Sequence, residues 1–219
     1  MIAERKLLAN RASLAEALAQ DLATRLRQRL AASEGALIAV SGGNTPKLMF
    51  DHLSREDLAW DRVTITLVDE RQVPITSDRS NARLVSHHLL KNKAAKAQFV
   101  PLFDNVAAAS ALPDFDALVL GMGDDGHTAS FFPQGDNLAK ALDLATAERI
   151  VTMRAPDAGE PRLTFTLKVL LASPFIALHI EGDDKMKVLE KAEIPGPVAQ
   201  MPIRAVLQAT HPVTLYWAP

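Results

Sequence analysis

The sequence contains no cysteine among its 219 residues. Disulfide bonds, thiolate catalysis and cysteine-ligated zinc are therefore excluded, and the composition is typical of a reducing, cytoplasmic environment. A basic excess is also lacking, since 24 Lys and Arg stand against 26 Asp and Glu and give a formal net charge of −2. Without such an excess there is no reason to expect nucleic acid as a partner.

Long apolar runs are absent as well. No stretch approaches the roughly 20 apolar residues that span a bilayer, and the first residues lack the apolar core of a secretory signal. With 48% hydrophobic and 23% charged residues, the composition is that of a globular protein. We therefore expect a soluble, cytoplasmic protein with a large core and no membrane association.

Short apolar runs alternate with segments of helical periodicity. Apolar residues recur at helical spacing over 14–30, and the continuous run 36–40 is typical of a strand buried on both faces. Further strands are predicted at 63–68, 115–120, 175–180 and 215–217, and helices around 79–90 and from about 183. This alternation predicts an α/β fold with one doubly wound, mainly parallel, Rossmann-like sheet flanked by helices. No repeat or linker interrupts the chain, so we expect one domain over residues 1–219.

Three polar or glycine-rich segments directly follow predicted strands, at 41–45, 69–71 and 121–128. In open α/β sheets, ligands bind outside the carboxyl ends of the strands. The predicted sheet would bring all three segments to one edge, and this edge is therefore the expected site.

The first segment, Ser41-Gly42-Gly43-Asn44-Thr45, has the composition of an anion-binding loop. Glycines let the backbone approach a ligand, the two hydroxyls can donate, and a helix starting near Pro46 would offer free N–H groups. The segment lacks the Lys of a Walker A motif and the spacing of a dinucleotide fingerprint, so a nucleotide is not indicated. An ordinary strand-to-helix turn explains the segment by itself equally well.

The third segment places Asp125 and His127 on either side of a glycine. A neutral His can take a proton from water near physiological pH, and a nearby carboxylate could orient it. No G-x-S-x-G nucleophile elbow is present, which favours an activated water over a covalent intermediate. The alternative is a loop His that is satisfied by hydrogen bonds.

Four further charged residues have two interpretations each. Arg71 could contact anionic or carbonyl oxygens with Asp69 assisting, although a charge run is usually a solvated loop. Arg162 and Lys185 could bind phosphate, although their chemistry alone favours plain surface charges. The adjacent pair His87-His88 would point to different faces of a helix, so we expect no metal site there.

Taken in order, the motifs resemble the 6-phosphogluconolactonases. The resemblance rests on SGGNTP at 41–46, VDERQVP at 68–74, SN at 80–81, GMGDDGHTASFFP at 121–133, RLT at 162–164 and GDDK at 182–185. It extends from about residue 36 to the C-terminus. It implies hydrolysis of 6-phospho-D-glucono-1,5-lactone to 6-phosphogluconate in the oxidative pentose phosphate pathway, by an often monomeric enzyme without a metal or organic cofactor.

The resemblance also implies roles for the candidate residues. His127 would activate the water that attacks the lactone carbonyl, and Asp125 would help to position it. Arg71, with Asp69 assisting, would lie near the ring or carbonyl oxygen and stabilise the developing oxyanion. The loop 41–45 would hold the 6-phosphate together with Arg162 and Lys185.

Two departures and two alternatives accompany the resemblance. Asn44 stands where the family more often has Ser, and Leu171 falls about where many members have Asn.

The glucosamine-6-phosphate deaminases are similar in fold and phosphate loop, but they carry Asp-Glu-Tyr at 69–71 and a Glu at the position of Phe132. The second alternative is a phosphosugar sensor without catalysis, against which the intact Asp-Gly-His sequence argues.

Overall fold

The computed structural model describes residues 1–156 and 158–219. The strands are β1 (Ile2–Leu7), β2 (Ala36–Val40), β3 (Val63–Leu67), β4 (Asp69–Arg71), β5 (Gln98–Val100), β6 (Ala117–Leu120), β7 (Ile150–Met153), β8 (Arg162–Phe165), β9 (Ile176–Glu181) and β10 (Val213–Ala218). The helices are α1 (Arg11–Ala32), α2 (Lys47–Leu53), α3 (Asn81–His88), α4 (Val106–Ser110), α5 (Leu138–Leu142), α6 (Leu167–Leu171), α7 (Asp183–Glu193) and α8 (Ile203–Leu207). Short 3₁₀ turns cover 60–62, 92–96 and 198–200.

Seven strands form one parallel sheet in the order β1-β10-β9-β6-β2-β3-β5. The predicted α/β class with a doubly wound parallel sheet is confirmed. The chain builds outward from β2 through β3 to β5, and then returns to place β6 on the other side of β2. Strand order therefore reverses between β2 and β6, which is where ligands bind in sheets of this kind.

A second, antiparallel sheet of three strands, ordered β4-β8-β7, lies beside the first. It was not predicted, and the segment 69–71, expected as a polar segment after a strand, is itself strand β4. Val68 joins the two sheets, because its N–H donates to Val40 O at 3.0 Å and its carbonyl accepts from Phe165 N at 3.0 Å. The register pairs Arg71 with Arg162.

Apolar side chains of α1 fill one face of the core. The helix begins where Asn10 accepts a hydrogen bond from Ser13 N at 2.9 Å, a standard N-cap. Leu14, Leu18, Leu22 and Leu26 are fully buried at helical spacing, and each such burial stabilises the fold by about 1.5–3 kcal/mol. The predicted helix over 14–30 is thus confirmed and is slightly longer than expected.

Strand β1 was missed because it reads as a polar segment. It lies at the edge of the large sheet and pairs only with β10, so most of its side chains stay exposed. An edge strand with three consecutive charged residues carries little of the apolar pattern that identifies a buried strand. None of the helices described is both long and apolar enough to cross a membrane.

Candidate active site

A cleft of about 310 Å³ opens where the strand order reverses. The loops after β2 and β6 form one side of it, and the small sheet forms the other. The predicted residues that line it are Ser41, Gly42, Gly43, Thr45, Asp69, Arg71, His127, Arg162 and Lys185. Asn44 is exposed and is not among the lining residues, and Asp125 stands behind His127.

Asp125 and His127 form a tight pair on the loop after β6. Nδ1 of His127 lies 2.6 Å from Oδ1 of Asp125, and the backbone N–H of His127 donates to the same oxygen at 3.0 Å. Burial alone would raise the pKa of the Asp125 carboxyl, but the hydrogen bonds from His127 outweigh it and leave that pKa below its ordinary value. The charged carboxylate favours the tautomer with its proton on Nδ1, which leaves Nε2 as the acceptor.

Glycines are required for this arrangement at two positions. A Cβ on Gly123 would lie 2.1 Å from Nδ1 of His127 and 2.8 Å from Oδ1 of Asp125, so any side chain there would displace the pair. Gly126 has a φ of +77°, a conformation that favours glycine. Its N–H donates to Gly123 O at 3.1 Å and closes the turn.

Phe132 packs against the imidazole and limits its contact with water. The two ring centroids are 4.5 Å apart at 39°, and Phe132 is only 6% exposed. On its other side, the Phe132 ring centroid lies 5.4 Å from Cζ of Arg162. The ring therefore separates the imidazole from the guanidinium.

Two guanidinium groups face the cleft from the small sheet. Nη1 of Arg71 donates to Arg79 O at 2.7 Å and to Oδ1 of Asn81 at 2.9 Å. Arg162 is 7% exposed and donates through Nη2 to Ala158 O at 2.6 Å. Burial lowers the pKa of Arg162; the charge of Asp69 opposes this effect and that of Arg71 adds to it. Arg162 is buried and Arg71 is partly buried, and with Lys185 they give the cleft lining three cations against the carboxylates of Asp69 and Glu181. The remaining positive charge suits an anionic ligand.

Residues of β4 alternate between the cleft and the opposite side, as the period of a strand requires. Asp69 lines the cleft and accepts a hydrogen bond from Ser130 Oγ at 2.6 Å. Glu70 points away and accepts from the backbone N–H groups of Arg71, Asn81 and Ala82 at 2.7–2.9 Å. Burial raises the pKa of Glu70, although these hydrogen bonds act against the rise.

The glycine-rich loop follows β2, and its first residue is hydrogen-bonded to the end of β6. The hydroxyl of Ser41 donates to Val119 O at 2.9 Å and accepts from Gly121 N at 3.2 Å, so it connects the two strands. Gly43 follows with a φ of +89°. Lys185, in the first turn of α7, extends to the cleft and forms an ion pair with Asp124 at 2.7 Å.

Sequence reasoning assigned no role to three polar residues that line the cleft: Asn81, His179 and Glu181. His179 is 2% exposed, and its Nε2 lies 3.4 Å from Oε1 of Glu181. A polar pair at the end of an otherwise apolar strand, IALHIE, was the available signal. Among residues 1–156 and 158–219, no group of three or more His, Asp or Glu side chains is arranged to hold a metal ion.

Comparison with known proteins gives one consistent family. The model of the family described as glucosamine-6-phosphate isomerases/6-phosphogluconolactonase matches residues 9–217. The chain is 50% identical to a 6-phosphogluconolactonase of Rhizobium meliloti over 232 residues, with 100% of both chains covered. It is also 50% identical over 223 residues to a 6-phosphogluconolactonase of Mesorhizobium japonicum, covering 96% of this chain and 93% of that relative.

A solved structure agrees with these matches. The crystal structure of a 6-phosphogluconolactonase from Shewanella baltica superimposes with a TM-score of 0.94 at 38% identity, covering 99% of this chain and 97% of that one. The resemblance predicted from the motifs is therefore confirmed. It also extends further toward the N-terminus than residue 36, since the family match begins at residue 9 and includes α1.

Proposed function

The chain belongs to the family of glucosamine-6-phosphate isomerases and 6-phosphogluconolactonases, and we propose that it hydrolyses 6-phospho-D-glucono-1,5-lactone to 6-phosphogluconate in the oxidative pentose phosphate pathway. The observation that carries the proposal is the Asp125–His127 pair at 2.6 Å, at a cleft that also receives Arg71, Arg162 and Lys185. In this proposal, His127 is the base and the three cations form the anion-binding surface of the same cavity. Lactone hydrolysis at a phosphorylated sugar needs both.

In this proposal, the phosphate lies among the glycine-rich loop, Arg162 and Lys185. Backbone N–H groups at Gly42 and Gly43 can approach the phosphate oxygens because no side chain intervenes. The guanidinium of Arg162 suits two oxygens at once, whereas Lys185 supplies a point charge. Phosphate binding at this end would fix the ring so that its carbonyl carbon lies near His127.

The chemical step uses water. Nε2 of His127 takes one proton from the water, and the remaining hydroxide adds to C1 of the lactone. Arg71 would stabilise the negative charge that develops on the carbonyl oxygen, and Asp69 would assist by offsetting part of the positive charge of the nearby arginines. The tetrahedral intermediate then collapses, and the bond between C1 and the ring oxygen breaks. The ring oxygen receives the proton from His127. Asp125 stabilises the imidazolium in between.

The chain would supply the base, the oxyanion donor and the phosphate ligands from its own side chains, and water is the only co-reactant. We further propose that the enzyme works as a monomeric single domain over 1–219 without a metal or organic cofactor.

One observation argues against the deaminase alternative. Phe132 stands where the deaminase type carries a Glu, and here it packs its ring on the imidazole of His127. The acidic partner of His127 is thus Asp125 alone among the residues described at that loop. Ring opening that depends on a second carboxylate beside the His has no support at this position.

The test is hydrolysis of freshly generated lactone, measured against its spontaneous rate. Wild type is compared with His127→Ala and with His87→Ala, a control in which an exposed His of α3 is removed. We expect wild type and His87→Ala to exceed the spontaneous rate equally, and His127→Ala to lose about 100-fold or more in kcat. A wild type at the spontaneous rate would reject the lactone as substrate, and deamination of glucosamine 6-phosphate would then be measured.

A further inference from the structure

Asn81 has no part in the proposed reaction, yet it lies between the two sides of the cleft. It is the first residue of α3, is 3% exposed and lines the cleft. Its carboxamide uses both polar atoms: Nδ2 donates to Asp69 O at 3.0 Å, and Oδ1 accepts from Nη1 of Arg71 at 2.9 Å. These two bonds need a side chain that carries a donor and an acceptor together.

The bond to Arg71 orients its guanidinium. Nη1 also donates to Arg79 O at 2.7 Å, so both of its hydrogens have partners. This bond opposes a repulsion, because Arg162 lies opposite Arg71 in the register of β4 and β8 and the two positive charges repel each other. Without the carboxamide of Asn81, the guanidinium of Arg71 would keep only one of its two tethers.

Asn81 also packs against the glycine-rich loop. A Cβ on Gly42 would lie 1.9 Å from Oδ1 and 2.2 Å from Cγ of Asn81, so the carboxamide and the backbone of Gly42 are in direct contact. The size of the side chain at position 81 therefore sets the separation between this loop and Arg71. In the proposed function, these are the groups that contact the phosphate and the oxyanion.

A buried carboxylate holds Asn81 in place. Glu70 is 1% exposed and accepts from the N–H groups of Asn81 and Arg71 at 2.9 and 2.7 Å, and from Ser80 Oγ at 3.1 Å. The start of α3 and the end of β4 thus share one anchor. The backbone of Asn81 cannot shift relative to Arg71 without breaking these bonds.

We propose that Asn81 is a positioning residue that orients Arg71 toward the lactone carbonyl and sets its distance from the glycine-rich loop. The inference rests on the proposed hydrolysis for the identity of the ligand. Asn81 acts through Arg71 and does not contact the reacting atoms. Ala at this position would lose both bonds, and Asp would keep the acceptor and the size but lose the donor.

A double-mutant cycle separates this role from a merely structural one. Asn81→Ala, Arg71→Ala and the double variant are compared in two readouts: kcat and KM for the lactone, and affinity for 6-phosphogluconate by calorimetry. We expect Asn81→Ala to lower kcat/KM about 10- to 100-fold in the native background, and less than about 3-fold further once Arg71 is gone. The same non-additivity is expected in the binding of 6-phosphogluconate.

Two variants serve as controls. Asn105→Ala removes an Asn at the N-cap of α4 that makes no side-chain capping bond, and we expect it to behave as wild type. Asn81→Leu keeps the approximate size against Gly42 but removes the acceptor for Arg71, and it takes the place of Asn81→Ala in the cycle if the latter does not fold. Urea unfolding of every variant shows which of them are native.

The outcomes separate the two hypotheses. Equal losses from Asn81→Ala with and without Arg71, or no loss at all, would overturn the positioning role. A wild type at the spontaneous hydrolysis rate would overturn the proposed function instead. The binding cycle then still decides about Asn81, because additive effects on affinity for 6-phosphogluconate would reject the coupling and non-additive effects would support it.

Discussion

The two sides of the cleft are organised differently. On the side of the large sheet, Asp125 and His127 are two residues apart, and Gly123 and Gly126 shape the same short loop. On the side of the small sheet, Arg71 and Arg162 meet because β4 pairs with β8. The first side depends on the backbone conformation of one loop, whereas the second depends on the register between distant segments. We expect mutations in the loop that carries Asp125 and His127 to affect turnover. Arg71 and Arg162 lie on one sheet but have different proposed roles, so we expect mutation of Arg71 to affect turnover and mutation of Arg162 to affect substrate binding.

The largest effect should come from Gly123→Ala. The added Cβ would lie 2.1 Å from Nδ1 of His127 and displace the imidazole from Asp125. We expect kcat to fall about 100-fold or more with little change in KM, because the proposed base moves and the proposed phosphate ligands do not. Steady-state kinetics on the lactone tests this.

Gly121→Ala is the matched control for that loop. A Cβ there would meet no atom within 4 Å, and its φ lies outside the left-handed region. Its loss in kcat should be far smaller than that of Gly123→Ala. Comparable losses in both variants would show that the loop is generally sensitive, and that the contact with His127 is not the cause.

Arg162→Ala should produce the next largest effect, in KM. It removes a buried guanidinium that lines the cleft and that we assign to the phosphate. We expect KM to rise about 10- to 100-fold with a smaller change in kcat, since charge-assisted hydrogen bonds contribute about 1.5–3 kcal/mol each. A selective fall in kcat would indicate that Arg162 acts in the chemical step and not in substrate binding.

Lys185→Gln should have a smaller effect of the same kind. Lys185 is partly exposed, and its ammonium group forms an ion pair with Asp124. We expect a rise in KM of about 3- to 10-fold that shrinks at high salt, because partly exposed charges are screened. Lys187→Gln is the control, since Lys187 lies in the same helix but is exposed and paired with Asp184. Equal effects in both variants would contradict a phosphate contact by Lys185.

The smallest effect concerns stability and pH. The folded-state pKa of Asp125 is lowered, so its pair with His127 stabilises the fold above the ordinary carboxyl value of 3.8 and the gain is lost as pH falls through the folded pKa. Because Asp125 is 44% exposed, solvent screening keeps the gain below about 1 kcal/mol.

Urea unfolding of wild type and Asp125→Asn should therefore differ slightly near neutral pH and converge in acid below about pH 4. A difference that grew as the pH fell would contradict the assigned sign.

Most of the large sheet could be predicted because its strands are buried on both faces. The strands expected at 36–40, 63–68 and 115–120 correspond to β2, β3 and β6, with shifts of up to two residues at their ends. The small sheet could not be predicted in the same way. Its strands have only three or four residues, and β4 consists of Asp-Glu-Arg, which carries no apolar pattern.

The same distinction applies to the site. The loop with Asp125 and His127 was recognisable because its chemistry and its glycines are adjacent in the chain. Asn44 was grouped with the glycine-rich loop by adjacency, but the structure leaves its side chain exposed and outside the lining of the cleft. Asn81 and His179 come from segments that are distant in sequence, and only packing brings them to the cleft.

The sequence by itself determined the α/β class, the edge of the sheet where the candidate residues gather and the presence of Asp125 and His127 in one glycine-rich loop. These features arise from hydrophobic periodicity and from contacts between near neighbours, both of which a linear sequence records. The tertiary structure alone decided the reversal of strand order between β2 and β6, the placement of Arg71 opposite Arg162 and the position of Asn81 between Arg71 and Gly42. These depend on register and side-chain packing between distant segments, which local patterns do not encode.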